Sequence, residues 1–532
     1  MKKIVVLSVV AATMAFGATS DEIADLQKQI DKLKTQVSKN KAQSSGDNIK
    51  WGVDLRTAVD NINYDMANGT TAGNDSLMSM RLWLNMAYAA DSKNIFKGQL
   101  SMNKAFGADF GINGELSSLR GFGMGSLFDW TGNEALSDNN LRVRQAYWLY
   151  MGDDAFGQGV DWTFSIGRRP SGNGFLANLS QDLPASSPLG HVINVEFDGL
   201  SSKLDFSKWT GISGMSIKAC VGRGSTNAVP LFYNATPYAE DPAGLDSIDL
   251  AGIIFVPYDD GQFIVKSTYY RAFNVPGMDP IADVFTPDGG SPLNPSVTMG
   301  QTQFQQYGDM DGAALSVLVD GVTDDGYGAD VKLFGSFAWT KSYPEAGKAM
   351  FGSTEDQTGT SYWFGAYLPV GDGEGENYGT VGLEYNHGDE YWRPFTYAED
   401  TMIGSKIAAR GDAWEINYTY HFTKALSLQA RYVDISYDYT GSQGFFGNLS
   451  GASQNIDDVK TGAATFTQLG GTYDAATGTA GNLGVVTGNL MASGMDQATA
   501  QATAGELAGA ALFLPNIVES AQDFRFYLRY RF

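Results

Sequence analysis

Residues 523–532 read Asp-Phe-Arg-Phe-Tyr-Leu-Arg-Tyr-Arg-Phe, so that apolar and polar side chains alternate along the stretch. Successive side chains of a β-strand point to opposite faces, and a period of two therefore predicts a strand with two different faces. The apolar face carries Phe524, Phe526, Leu528, Tyr530 and Phe532. The opposite face carries Asp523, Arg525, Tyr527, Arg529 and Arg531. Such a strand fits a boundary between water and an apolar medium.

The same alternation recurs in residues 78–88, 141–151 and 414–422. Strands of about ten residues, apolar outside and polar inside, are typical of barrels embedded in a lipid bilayer. Closure is required there because hydrocarbon offers no hydrogen bonds to an unpaired strand edge. The alternation therefore predicts an all-β fold, a closed antiparallel transmembrane β-barrel.

The connections between the strands favour a barrel over a soluble sandwich. We predict about sixteen strands, at 50–64, 76–89, 95–106, 140–151, 160–169, 192–206, 213–223, 247–257, 262–273, 313–322, 327–341, 361–370, 378–388, 411–422, 425–440 and 523–532. Short connections alternate with mostly long ones, of which 170–191 and 441–522 are examples. An even number of strands with short periplasmic turns and long outer loops is the outer-membrane arrangement.

Composition excludes several classes of protein. The chain has 532 residues with 64 Gly, one Cys and three His, and its formal net charge is −23. A single Cys220 cannot form an internal disulfide or a multi-cysteine zinc site. The dispersed His191, His387 and His421 predict no metal centre, and we expect no cofactor. The acidic balance argues against a nucleic-acid partner, since phosphate is neutralised by positive surface.

The first residues are predicted to be a secretory signal. Met1-Lys2-Lys3 is basic, and residues 4–18 are apolar or small, which is too short to cross a bilayer as a helix. We place cleavage after Gly17, with Ser20 as the second choice. This divides the chain into a signal peptide at 1–17, a coiled coil at 18–46 and a barrel at 47–532.

The coiled coil is predicted from a heptad pattern. Its apolar seam steps by three and four residues through Ile23, Leu26, Ile30, Leu33 and Val37. Isoleucine at a and leucine at d favour two strands, whereas a fused oligomeric body could impose three. A helix that lies on the barrel or serves as a spacer is the alternative.

Several motifs resemble known barrel proteins. Arg142–Trp148 and Phe164–Pro170 resemble the strand pair that precedes the constriction loop of Gram-negative porins. Phe524–Phe532 resembles the C-terminal insertion signal that the barrel-assembly machinery reads. Gly382–Gly388 and Tyr391–Phe395, together with the signal and coil, resemble a porin-like family of outer-membrane proteins of unknown function. The resemblance implies a channel, often trimeric, and supplies no substrate.

The wall charges are the candidate functional residues of a pore. From the strand phases we expect these side chains to line the lumen: Arg56, Arg81, Arg142, Arg144, Arg169, Asp182 and Lys218. Arg142, Arg144 and Arg169 are predicted to cluster beside an inward-folding loop 170–191, with Asp182 as the facing acid. Such a cluster would favour anions. It could equally brace the barrel through wall carboxylates, and the sequence leaves both readings open.

The favoured function is a non-enzymatic outer-membrane porin for ions and small hydrophilic solutes. An enzyme within a barrel and a structural tether or surface-interaction protein with little conductance are the alternatives. The expected partners are outer-membrane lipid and lipopolysaccharide, the assembly machinery, other copies of the chain (a trimer is favoured) and peptidoglycan through the coil. The N-terminus is expected in the periplasm of a Gram-negative bacterium. Segment 441–522 could cap the pore, enter it or reach outwards.

Deleting residues 20–43 tests the coil. We expect unchanged conductance per channel and weaker oligomers, because the apolar seam would be lost while the barrel stays whole. Mass in detergent and single-channel current are the measurements. An unchanged mass would contradict an assembly role for the coil.

Overall fold

A computed structural model describes residues 49–107, 136, 139, 141–228, 237–240, 246–280, 284–287, 295–298, 302–371, 377–396, 400–442, 453–474 and 478–532. The signal peptide and the coiled-coil seam, Ile23, Leu26, Ile30, Leu33 and Val37, lie outside these residues. Among the helices in the described residues, none is long and apolar enough to cross a membrane.

The described chain forms a closed barrel of sixteen antiparallel strands. They are β1 (Lys50–Met66), β2 (Thr71–Ala89), β3 (Asn94–Ala105), β4 (Arg142–Ala155), β5 (Val160–Arg169), β6 (Phe197–Asp205), β7 (Ser216–Ser225), β8 (Ile248–Asp259), β9 (Phe263–Pro280), β10 (Thr302–Asp320), β11 (Lys332–Pro344), β12 (Thr358–Gly371), β13 (Asn377–Gly388), β14 (Gly411–His421), β15 (Leu426–Tyr437) and β16 (Val518–Arg531). The barrel closes where β16 pairs with β1. The prediction of sixteen strands is confirmed.

The two faces of β16 behave as the alternation predicts. Phe524 and Phe526 are 50% and 46% exposed, whereas Arg525 and Arg529 are 0% and 2% exposed. The aromatic side chains therefore face outwards, where a bilayer would cover them, and the arginines face the lumen. Short connections such as residues 422–425 lie at one end of the barrel, here called the turn end, and the longer ones lie at the loop end.

Several local predictions about strands are wrong, and two of them bear on the lumen. The first strand residues predicted at 192–196 belong instead to a loop, and β6 begins at Phe197. In β4, a bulge shifts the register between Gln99 and Leu100 of the neighbouring strand. The shift turns Trp148 outwards, with 43% of it exposed, although its alternation with Arg144 predicted the lumen. One extra residue reverses the phase of the rest of a strand.

Two long connections fold into the lumen. Inner loop A (residues 170–196) follows β5, and inner loop B (residues 389–396 and 400–410) follows β13. Their backbones meet in a short parallel pairing of Ile193–Asn194 with Phe395–Thr396. An apolar cluster joins both loops to the lumen wall of β8–β12; its largest members include Leu176, Leu189, Tyr270, Phe334, Trp363, Trp392 and Phe395. Burying each such side chain stabilises the loops by about 1.5–3 kcal/mol, so part of the lumen is packed like a protein core.

A cap of residues 453–516 covers part of the loop end. It contains helices α1 (Ile456–Gln468), α2 (Leu483–Ala492) and α3 (Gln497–Phe513), and the alanines on one face of α3 are buried. The cap packs on wall residues near the loop end, among them Ile62 and Val433, and on Ile403 of inner loop B. Its short strands Thr472–Asp474 and Thr479–Gly481 continue a sheet from the β9–β10 connection. The segment that the sequence left undecided is therefore a cap.

The buried His191 of inner loop A should make the stability of the barrel sensitive to acid. It is fully buried between the rings of Trp363 and Trp392. Its Nδ1 lies 2.7 Å from the Ser336 hydroxyl, and its Nε2 lies 3.0 Å from the Ser361 hydroxyl. Burial lowers the pKa of His191 from 6.5 to about 3, although the Asn386 amide acts in the opposite direction. The folded barrel therefore holds this imidazole neutral.

Acid should weaken the barrel between pH 6.5 and 3 through this residue, because the unfolded chain binds the proton more readily. At pH 5 the loss amounts to about 2 kcal/mol relative to pH 7. We expect His191→Asn to remove this part of the loss and His421→Asn, at a partly exposed position, to keep it. Urea unfolding in detergent micelles at both pH values measures the difference. Equal acid sensitivity of wild type and His191→Asn would contradict the prediction.

Candidate functional site

Four adjacent strands across the barrel seam each contribute an arginine to one buried group in the lumen. Arg431, Arg525, Arg56 and Arg81 come from β15, β16, β1 and β2 respectively, and each is 5% exposed or less. Arg56 lies directly opposite Arg81, and Arg525 lies directly opposite Arg431. We call these four residues the arginine cage. Like charges opposite one another in a sheet repel, so the cage requires an anion.

Asp400 of inner loop B supplies that anion. Its carboxylate oxygens accept two hydrogen bonds from Arg56, at 2.5 and 2.7 Å. The same carboxylate lies 3.4 Å from Arg525 Nη1, 3.7 Å from Arg431 Nη1 and 3.9 Å from Arg81 Nη1. Its backbone carbonyl accepts from Arg431 and Arg525 as well. Burial raises the pKa of Asp400, but the guanidinium groups of Arg56, Arg525 and Arg431 outweigh it and hold the pKa well below its usual range.

Wall carboxylates and inner loop A supply further partners for the arginines in and beside the cage. Asp60 accepts from Arg525 Nε at 2.5 Å, and Asp54 accepts from Arg529 Nε at 2.9 Å. Gln181 of inner loop A accepts from Arg81 through its side chain and from Arg529 through its carbonyl, at 3.1 and 2.6 Å. Both inner loops therefore contact the same group of arginines.

A second buried ion cluster holds inner loop B. Lys406 Nζ lies 2.7 Å from Glu384 Oε2 and also contacts Glu415, and all three residues are 4% exposed or less. Trp363 Nε1 donates to Glu384 at 3.1 Å, and the Tyr367 hydroxyl donates to the same carboxylate. Burial lowers the pKa of Lys406, but the two carboxylates outweigh it and raise the pKa above its usual value. Lys406 is therefore a charged anchor.

Another part of the lumen carries cations that remain partly exposed. Arg169, Lys203, Lys218 and Lys266 lie on β5, β6, β7 and β9, and we call them the basic stripe. Lys218 donates to the Ser187 hydroxyl at 2.6 Å, and Lys266 lies over the Phe175 ring, both in inner loop A. Among the described residues, the carboxylate found within 4 Å of the stripe is that of Asp205, 3.5 Å from Lys203. The stripe thus presents an excess of positive charge.

The residues predicted as one arginine cluster are separated. Arg144 pairs with Glu196 at 3.0 Å and lies over the Trp83 ring. Arg169 lies over the Tyr147 ring and donates to the Ser201 hydroxyl at 2.5 Å. Arg142 is partly exposed on β4, opposite Ser101. The β4 bulge and the path of inner loop A give these arginines different surroundings.

Asp182 does not face Arg142, Arg144 or Arg169. It forms an ion pair with Arg531 and lies 3.2 Å from His421 Nε2, at the turn end of the barrel. Inner loop A therefore extends through the lumen to the turn end and does not stay beside Arg169, where β5 ends. Gly172 helps it do so, since a Cβ there would lie 2.6 Å from Glu196 Oε1.

Sequence reasoning placed Arg56, Arg81 and Lys218 on the lumen face, where the structure also has them. It missed Arg431, Asp400 and Lys406. The alternation Ser427, Gln429, Arg431 among apolar neighbours carried a signal for Arg431. Asp400 and Lys406 lie in an irregular loop, where the sequence has no period to read.

The middle of the chain matches a family of sequences. A family model described as "Protein of unknown function (DUF3373)" matches residues 71–477, about three quarters of the chain. The chain belongs to this family. A comparison with curated proteins finds no significant match for this family member.

Three solved structures illustrate what this family member is similar to. OmpT of Vibrio cholerae is 10% identical, with 91% of this chain and 97% of that chain covered and a TM-score of 0.41. An anion-selective porin from Comamonas acidovorans is 12% identical, with coverage of 91% and 99% and a TM-score of 0.42. OprB of Pseudomonas putida is 11% identical, with coverage of 93% and 96% and a TM-score of 0.41. The fold assignment rests on the strand pairing described above.

Replacing Lys406 by methionine tests the second ion cluster. We expect a loss of about 3–5 kcal/mol in the free energy of unfolding, because two buried carboxylates lose their counter-ion. Adding Glu384→Gln and Glu415→Gln should recover much of the loss. Lys460→Met, which removes a partly exposed pair with Glu519, serves as the control and should cost less than about 1 kcal/mol. Urea unfolding in micelles measures all three, and equal losses for the two single variants would contradict the assignment.

Proposed function

We propose that this protein is an outer-membrane channel for passive diffusion of ions and small hydrophilic solutes, with a preference for anions. The observation that carries the proposal is the basic stripe, a row of partly exposed cations on the lumen face of a closed barrel. The outer face of the same barrel is apolar and aromatic. A polar interior within an apolar exterior is how a water-filled pore crosses a bilayer.

The anion preference follows from where the charges lie. The whole chain is acidic, at −23, yet the stripe places four basic side chains beside one nearby carboxylate. Arginine and lysine in a pore wall favour anions, and a wall of low dielectric constant concentrates their field on the water beside them. Inner loops A and B narrow the lumen by filling the part that the apolar cluster occupies. The local wall charge, rather than the net charge, should then govern permeation.

The proposal includes the location and assembly of the channel. The turn end faces the periplasm, together with the predicted coil, and residues 524–532 act as the insertion signal for the assembly machinery. Outer-membrane lipid and lipopolysaccharide surround the apolar band, and copies of the chain associate as trimers. The coil extends towards peptidoglycan. The proposal has no catalytic step.

A structural tether is the second candidate, and the packed lumen favours it. The apolar cluster occupies part of the lumen and the cap covers part of the loop end, which is what a barrel with little conductance would have. In that case the barrel anchors the coil and the cap on the two sides of the membrane.

Single-channel current in a planar bilayer under a salt gradient separates the two candidates. We expect discrete current steps and a reversal potential of the sign for anion preference. The triple variant Arg169→Gln, Lys218→Gln, Lys266→Gln should lower the anion-to-cation permeability ratio severalfold, since the stripe would lose most of its charge. The matched control removes three cations outside the lumen, Lys93, Arg223 and Lys460, and should leave the ratio unchanged.

Each outcome decides one part of the proposal. Folded wild-type protein that gives no current steps would overturn the channel and favour the tether. Current steps with the same permeability ratio in wild type and the triple variant would overturn the role of the stripe.

A further inference from the structure

The arginine cage has more hydrogen-bond donors than the chain satisfies. Five buried guanidinium nitrogens have no hydrogen-bond partner among the described residues: Nε and Nη2 of Arg81, Nε and Nη1 of Arg431, and Nη2 of Arg525. Leaving a buried donor unpaired is unfavourable, and more so when the group is charged. Two carboxylate oxygens beside the cage, Asp60 Oδ2 and Asp523 Oδ1, also lack a hydrogen-bond partner among the described residues, so that unpaired donors still outnumber unpaired acceptors.

The balance of charge around the cage also favours the binding of an anion. Around it lie five arginines, which are the four cage residues and Arg529. The carboxylates that act on them are those of Asp54, Asp60, Asp400, Glu415 and Asp523. Asp400 alone of these belongs to an inner loop, and Glu415 is shared with Lys406. Without Asp400 the cage would lose the carboxylate that lies within 4 Å of all four arginines and would keep a net positive charge in a buried place, an environment that favours an oxyanion.

Asp400 has the position of a ligand supplied by the chain itself. Its carboxylate lies among all four cage arginines, and its backbone adopts a left-handed conformation with φ of 68°. That conformation is unfavourable for a residue with a side chain, so the ionic contacts must outweigh its cost. The segment around Asp400 is anchored on either side, by Phe395 in the apolar cluster and by Lys406 between two glutamates.

We propose that the arginine cage is a binding site for a small oxyanion of the phosphate type, and that Asp400 occupies it as an internal competitor. Phosphate has four oxygens where the carboxylate has two, so it can accept from donors that Asp400 leaves unpaired. Guanidinium groups bind phosphate in paired, directional hydrogen bonds, and arginines from four strands surround the position. The site depends on the cage alone and stands whether or not the barrel conducts.

The first test removes the competitor. Asp400→Asn keeps the shape of the side chain and removes its charge. We expect the purified, folded variant to bind inorganic phosphate at least about tenfold more tightly than wild type in isothermal titration calorimetry at constant ionic strength. The double variant Asp400→Asn, Arg525→Gln should lose this gain, because one cage arginine is missing. Asp412→Asn, which removes a partly exposed carboxylate of β14 outside the cage, is the matched control and should bind like wild type.

The second test uses wild-type protein and does not depend on the folding of a variant. The Met402 amide donates to Asp523 at 3.1 Å, two residues beyond Asp400. If phosphate displaces Asp400, amide hydrogen exchange in residues 400–406 should quicken as phosphate is added, and chloride at equal ionic strength should leave it unchanged. Folded Asp400→Asn that binds phosphate no better than wild type would overturn the proposal. So would exchange that is unchanged by phosphate, or changed equally by chloride.

Discussion

The pairing of β16 with β1 is the contact on which the rest of the structure depends. An unpaired strand edge has no hydrogen-bond partner in hydrocarbon, so the two ends of the described chain must meet. Side chains reinforce that seam from within, through Arg529 with Asp54 and Arg525 with Asp60. These pairs join residues more than 450 positions apart in the chain. The strands that close the barrel therefore also carry the charges that pair across this part of the lumen.

Burying arginines at the seam has a consequence for the loops. A guanidinium group taken out of water needs a partner, since the desolvation cost amounts to several kcal/mol. Wall carboxylates satisfy part of that need, and Gln181 and Asp400 satisfy more of it from the two inner loops. The arginines thus position the loops as much as the loops shape the lumen. Bracing of the barrel and the proposed binding of an anion therefore involve the same groups.

The lumen divides into parts with different physical character. Beside β8–β12 it is packed by an apolar cluster, and at the seam it is filled by buried ions. Along β5–β9 the basic stripe remains partly exposed. A solute passing through the barrel would meet the stripe, whereas an anion retained by the barrel would meet the cage. Permeation and binding are therefore assigned to different residues.

The sequence by itself determined the barrel, because alternation between lipid and lumen is a local property that each strand carries. The outward Phe524 and Phe526 and the inward Arg525 could be assigned from period two alone. The prediction from local pattern failed at the β4 bulge, where one extra residue reversed which side chains after Arg144 face the lumen. No residue type in β4 indicates the bulge. Local pattern also failed for Asp400, Lys406 and the depth of Asp182, which lie in loops without a period. Asp400 and Asp182 pair with Arg56 and Arg531, which are hundreds of residues away in the chain, and Lys406 pairs with Glu384 and Glu415 on the two strands that flank its loop. Only the folded barrel brings these charges together.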